Sequence, residues 1–600
     1  MTSRCLAARI LDWSVAAVLW FLITSAPSAH AFVTYANQSG QLLRWKLSVP
    51  SSFVHTNVVN RNTKAIRYFV ASDLYSQANR TAELNAVRAC FGQWESVPNT
   101  ILKFEEGGMI GAGADINTAD NTNVVFWTKG TTLVNGGRDD ISGLRGYTLV
   151  AFADDNTLLE ADIVLNAFDH QWFADVNDSV NAGQFIEATL LHEIGHLIGL
   201  DHSPVGAATV TIGAPGVSTE AGLSADEVAA AQWLYSPASF LATLGAIRGR
   251  VIMNGVGVFG AMVTAENSAG NVAAGTVTRV NGGYELPALP PGNYLVRASP
   301  LDPSNVDVTA SLMRGPDIAP DYEAVVTAFH AASNRPVTVT AGANANLDFN
   351  VTAGNPPFRI TGISAAADHP DADTADRYAT SVRQGQRNLF VGVSSTTLPT
   401  SGATLSVTGD GLTVGPTTFE PLRFQDGRHL LSVQISVASN ATPGLRTFVV
   451  QQGNNFAYAN GYLEVLPPFS DFNFDGFDDA FQRRFFPLFT APEAKPEADP
   501  DQDGFNNRYE HETGTDPTNP RSAQFAIESV KLTSAGTAVM WRSAPGKRYQ
   551  LFSRSDLSNS SWQAAGPPVT ASASTMQAVD ALATNVIRFY RVQQLPNSSP

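Results

Sequence analysis

Residues 192–202 read His-Glu-Ile-Gly-His-Leu-Ile-Gly-Leu-Asp-His. The stretch from Phe185 to Leu200 has the apolar content of a largely buried helix. On such a helix His192 and His196 stand one turn apart and leave the same face. Two imidazoles so placed can bind one Zn2+ at about 2.0–2.1 Å. Gly199 permits a backbone conformation that other residues resist, so the chain can turn there and bring His202 back as a third ligand. Three protein ligands leave a fourth position for water, which is the arrangement of a catalytic rather than a closed structural site. Glu193 follows the first ligand and can reach that water without itself binding the metal. Three of the chain's 10 histidines fall in this short window, which incidental placement in a buried helix does not explain.

The chain has 600 residues, too many for one hydrophobic core. Charged residues make up only 15%, while Gly (48) and Pro (34) are plentiful. That mixture suits short strands and many turns better than long surface helices. The formal net charge of −16 argues against nucleic acid as a partner, because phosphate binding needs clustered Lys and Arg. It suits a soluble, exported protein, some of whose carboxylates hold calcium.

The first residues have the pattern of a signal peptide. Arg4 and Arg9 precede a mostly apolar stretch, Ile10 to Ile23, and Ala29-His30-Ala31 supplies small residues for cleavage. The expected segment is 1–31, with Phe32 as the mature N-terminus, a secreted or cell-surface location and no membrane span after cleavage. Cys5 would leave with that segment, so Cys90 is expected to be a lone, buried thiol.

Residues 32–240 read as a mixed α/β unit. Ile66–Val70, Val124–Trp127 and Asp162–Leu165 are strand-like, and Thr81 to Trp94 has helical spacing with Leu84, Val87, Phe91 and Trp94 on one face. Ser224 and Glu227 form a capping-box pair opening a helix that runs to about Tyr235. After residue 245 the texture becomes short β runs between Gly, Pro and Asn, as in all-β sandwiches. The expected fold class is a multidomain chain: an α/β (α+β) unit followed by sandwich modules at 246–352, 356–466 and 523–600. An Asp-rich segment, 469–520, lies between the last two.

His192, Glu193, His196, Gly199 and His202 match the metzincin zinc signature, and their surroundings resemble the matrixin branch. The supporting residues are Glu160 to Asn166 upstream, Ser203 at the third ligand, Leu223 to Glu227 through Leu234-Tyr235 downstream, and Arg88 to Trp94 in the first helix. The resemblance covers about a third of the chain, roughly residues 41–240. It implies a bacterial zinc endopeptidase with a twisted sheet above the active-site helix. Metzincins place a methionine in a turn beneath the zinc. No methionine occurs between Met109 and Met253, and Val210 falls where that residue would sit. The propeptide cysteine of animal matrixins is missing too. His170 is the only histidine between His55 and His192, too few for their second, structural zinc.

Asp471, Asn473 and Asp475 before Gly476, and Asp499, Asp501 and Asp503 before Gly504, place oxygens at alternate positions ahead of a turn. That is the start of an EF-hand-type Ca2+ loop. Position 12 is Glu510 in the second loop but Gln482 in the first, so the first is expected to be weaker or to share ligands. The segment resembles thrombospondin type-3 and dockerin-like calcium repeats. Residues 246–300 resemble the carboxypeptidase-regulatory sandwich, and 356–466 look immunoglobulin-like. Trp541, Trp562 and Tyr590 are candidates for a glycan or peptide surface as well as for core.

Two function classes follow. One is a secreted zinc metalloendopeptidase acting on extracellular proteins, with Glu193 taking a proton from the attacking water and returning it to the leaving amine. The other is a surface adhesion protein whose metzincin-like domain no longer cuts. The retained Glu193 favours the first and the absent methionine favours the second.

Overall fold

A computed structural model describes residues 33–37, 41–48, 54–175, 183–211, 222–301, 327–366, 379–420, 427–502, 505–520, 522, 527–543, 546–557, 561–573, 575–581 and 587–595. The expected signal segment 1–31 and Asp503 lie outside the described residues. The chain is multidomain, an N-terminal α/β unit followed by β-sandwich modules.

The N-terminal unit is built on a five-stranded sheet. Its strands are β1 (Ile66–Ala71), β2 (Phe104–Ile110), β3 (Val124–Thr128), β4 (Gly146–Phe152) and β5 (Leu158–Asn166). They lie in the order β2, β1, β3, β5, β4, parallel except for β4, which runs antiparallel along β5 at the edge. Strand β5 is buried along almost its whole length, as expected for a strand covered on both faces. One face packs on helices α1 (Arg80–Glu95) and α2 (Ile186–Leu197). Across the other, Val124, Phe126 and Val164 meet Ile116, Val134 and Ile141 from the connecting loops.

Helix α2 is buried at every one of its positions. A helix with no wet face must have its terminal carbonyls satisfied by protein. Trp45 Nε1 donates to Leu197 O at 2.9 Å and the Tyr235 hydroxyl donates to Ile198 O at 2.6 Å. Gly199 then turns the chain with φ +101°, and a Cβ there would lie 2.5 Å from Leu43 O, so glycine is required twice over. The N-terminal strand crosses this turn. Tyr35 N donates to Gly199 O and Asp201 N donates to Val33 O. On the flank, Trp94 of α1 donates from Nε1 to Leu191 O at 3.1 Å, and Cys90 is a free, fully buried thiol.

Helix α3 (Ala225–Tyr235) carries the anticipated capping box, with Ser224 and Glu227 satisfying each other's backbone N–H groups. Beyond it, strands 245–253 and 261–300 form two facing sheets with strands up to residue 353, and strands 362–466 form a second sandwich. Two short helices, Asp479–Phe485 and Asn507–Thr513, follow the Asp-rich loops. Residues 527–595 form the last β unit. Trp541 is fully buried in the core of that unit, and Tyr590 is partly buried against it. Trp562 is half-buried with the guanidinium groups of Arg554 and Arg591 at 4.4 and 5.0 Å from its ring.

Candidate metal centre

His192 and His196 leave α2 on one face, and the Gly199 turn swings His202 toward them. The Nε2 atom of His192 lies 3.1 Å from Nε2 of His196 and 3.3 Å from Nε2 of His202. Ligands at 2.0–2.1 Å from a tetrahedral ion are separated by roughly 3.3–3.4 Å along each edge of the tetrahedron. The two separations from His192 are therefore close to the edges of such a tetrahedron. Nδ1 of His192 faces Thr209 O and Nδ1 of His196 faces Leu200 O, both at 2.9 Å. Those carbonyls fix Nδ1 as the protonated nitrogen and leave the Nε2 lone pair for a metal. Burial, and then the neighbouring imidazoles, push the His192 pKa well below the ordinary value, which keeps the ring neutral as a ligand must be. Among the described residues the three form a group whose ligand atoms lie within 4.8 Å of one another. The residues present fit zinc.

Glu193 points across to the sheet. Its Oε2 accepts from the Thr148 hydroxyl at 2.6 Å, and the same hydroxyl reaches Glu193 O at 3.1 Å. Burial pushes the carboxyl up to about 7, while the Thr148 bond and His202 pull it down. At Gly146 a Cβ would stand 2.5 Å from Glu193 Oε1, so the carboxylate occupies space that only glycine leaves. Gly146 and Thr148 are alternate residues of the edge strand and face one side. Motif reading missed both, since nothing in their local sequence points to a contact with residue 193. Tyr35 was missed as well; its ring stacks on His196 with centroids 5.8 Å apart.

The floor beneath the histidines is Val210. It is 1% exposed, its N–H donates to Glu227 Oε1 at 3.0 Å, and its carbonyl accepts from Ser203 N at 2.5 Å. A Cβ on Gly195 would collide with a Val210 methyl group. The valine thus packs against the zinc-bearing helix, and the capping-box glutamate of α3 holds it there.

Residues 60–236 match the Matrixin family model. The match spans the sheet, all three helices and the three histidines, and the family is one of zinc-dependent metalloproteases. Residues 246–312 match the carboxypeptidase regulatory-like domain. No curated protein matches the chain. Among solved structures, the BcpA major pilin subunit of Bacillus cereus is similar at 9% identity, over 37% of this chain and 69% of that one, with a TM-score of 0.14. The Bacillus anthracis TIE protein is similar at 13% identity, over 38% of this chain and 34% of that one, with a TM-score of 0.13. Scores this low support no functional argument.

In the Asp-rich segment the first loop is knitted by amides. Asp471 accepts from the backbone of Asp475 and Gly476, both at 3.0 Å. Asp475 Oδ2 accepts from Asn473 Nδ2 at 3.0 Å and from Gln482 Nε2 at 2.8 Å. In the second loop Asp499 and Asp501 are half-buried ahead of the helix that Asn506 caps, and Glu510 within that helix is fully buried.

The packing of Val210 yields a test. Gly195→Ala is expected to destabilise the N-terminal unit by about 1–3 kcal/mol, because the added methyl meets a stiff, buried valine. Val210→Ala in that background makes room and should recover part of the loss. Denaturant unfolding reads both; a Gly195→Ala chain as stable as the parent contradicts the packing.

Proposed function

We propose that the chain is an exported zinc-dependent metalloendopeptidase that cuts extended stretches of extracellular proteins. The observation that carries this reading is the convergence of three imidazoles beside a buried glutamate held off the metal position by Thr148. Zinc held by His192, His196 and His202 would supply Lewis acidity to a peptide carbonyl and to a water molecule. Glu193 accepts a proton from the attacking water, and a pKa raised by burial suits a group that must also give the proton up. It then returns that proton to the departing amine. Thr148 and Gly146 hold the carboxylate in place, and Val210 packs against Gly195 between the two histidines.

Strand β4 suggests how substrate is presented. It pairs with β5 on one side and has no strand partner on the other among the described residues. An extended peptide can add to such an edge through main-chain hydrogen bonds, beside the face from which Thr148 reaches Glu193. Export is supported by the signal-like first 31 residues, and no described helix is long and apolar enough to cross a membrane. A non-cutting surface protein would have no use for the Glu193–Thr148 arrangement.

Calcium belongs to the same proposal. Glu510 is a fully buried carboxylate at position 12 of a loop that opens with Asp499 and Asp501. Buried carboxylates call for a cation or a dense set of donors. Asp503 would complete the alternation, and Asp471, Asn473 and Asp475 form a second, weaker loop.

Two tests follow. Glu193→Gln should keep zinc but lose turnover of a protein substrate by about 10²–10⁴-fold or more, whereas His196→Ala should lose both. Elemental analysis beside turnover reads this, and a Glu193→Gln chain that cuts at the parent's rate sinks the mechanism. Calcium removal should speed proteolysis within 469–520 while the sandwiches stay folded, with a midpoint at roughly 10⁻⁴–10⁻³ M Ca2+. Identical cleavage with and without chelator would count against the calcium loops.

A further inference from the structure

The zinc helix is gripped from outside the α/β unit. Glu187, in its first turn, has a side chain only 2% exposed. Its two carboxylate oxygens accept from Nη1 and Nη2 of Arg483 at 2.8 and 2.7 Å, a two-pronged pair between residues 296 apart in sequence. Arg483 directly follows Gln482, the last position of the first Asp-rich loop, on the helix Asp479–Phe485. Its guanidinium lies 3.9 Å from the centroid of the Phe489 ring.

The surrounding surfaces fit the same dock. Gly92 of α1 leaves room for Thr490, since a Cβ there would fall 2.6 Å from Thr490 Oγ1. Gly222, just ahead of α3, lies directly against the Phe472 ring. A second brace holds the loop beyond the third histidine. Gly206 N and Ala207 N donate to Asn460 O and Gly461 O, both at 2.9 Å, so a strand of the second sandwich grips the chain between His202 and Val210.

We propose that the zinc site is seated by the C-terminal half of the chain, with Arg483 as a positioning residue acting on the zinc helix through Glu187. A buried carboxylate that loses its cation is left uncompensated, at far greater cost than an exposed pair. Arg is suited to the task because its planar fork meets both oxygens and it does not deprotonate. Docking of residues 470–494 and seating of α2 are then one equilibrium. The peptidase unit does not stand alone, and the modules behind it are not detachable cargo. This inference concerns how the metal site is held and goes beyond whether the site cuts.

The test uses the full chain with Arg483→Met, Glu187→Gln, the double variant and Arg483→Lys. Arg483→Met is expected to shift the unfolding equilibrium by on the order of 10²-fold or more toward the unfolded state. It should also hasten zinc transfer to a competing chelator well below the unfolding temperature, which a remote stabilising contact would not do. The double variant should recover most of both losses, and Arg483→Lys only part. Additive effects of the two single variants, or parental zinc release from Arg483→Met, would overturn the proposal. The unfolding cycle reads the clamp whether or not zinc is bound, so its failure is distinguishable from failure of the peptidase reading.

Discussion

Three imidazole nitrogens face one another across 3.1 and 3.3 Å at the end of a helix with no solvent-facing side. Neutral nitrogen lone pairs gathered this closely repel unless a cation lies between them. Much of the N-terminal unit can be understood as what keeps them there. Carbonyls of Thr209 and Leu200 orient two of the rings. Trp45 and Tyr235 satisfy the last carbonyls of the helix so that it can end in a dry place. Gly199 turns where a side chain would strike Leu43. The capping-box glutamate of α3 spends its second oxygen on the floor valine.

What could be read from the sequence was local in origin. The histidine spacing, the Gly199 break and the Ser224–Glu227 cap each depend on neighbours a few residues away, so pattern reading reached them. The periodicity of residues 81–94 found α1 to within a residue or two. Counting from His202 singles out Val210, and it lies buried against Gly195 of α2. Thr148, Gly146 and Tyr35 could not be reached, because what matters about them is which surface the folded sheet or turn presents to the histidines. Trp541 shows the converse: an aromatic that composition leaves open between surface and core is settled by tertiary packing alone.

Arg483 is the extreme case, since its partner lies 296 residues upstream. Among the described residues the one cysteine, Cys90, is buried and free, so no disulfide ties the described modules together. Buried ion pairs and loop-to-strand hydrogen bonds take that role here. Arg297, fully buried between the two sandwiches, donates to Asn460 Oδ1 and to Thr447 Oγ1 and pairs with Glu266. Such contacts are costly to desolvate and costly to break singly, which makes them better at fixing one arrangement than at adding net stability. The arrangement they fix brings the second sandwich and the Asp-rich segment onto the loop and helix that carry the histidines.

The most direct test of the central claim is X-ray absorption at the zinc edge on the purified full-length protein. The account predicts one zinc per chain bound by three imidazole nitrogens at about 2.0–2.1 Å and one exchangeable water oxygen. His202→Ala should reduce the imidazole count by one. A protein without zinc, or a ligand set that His202→Ala leaves unchanged, would contradict it.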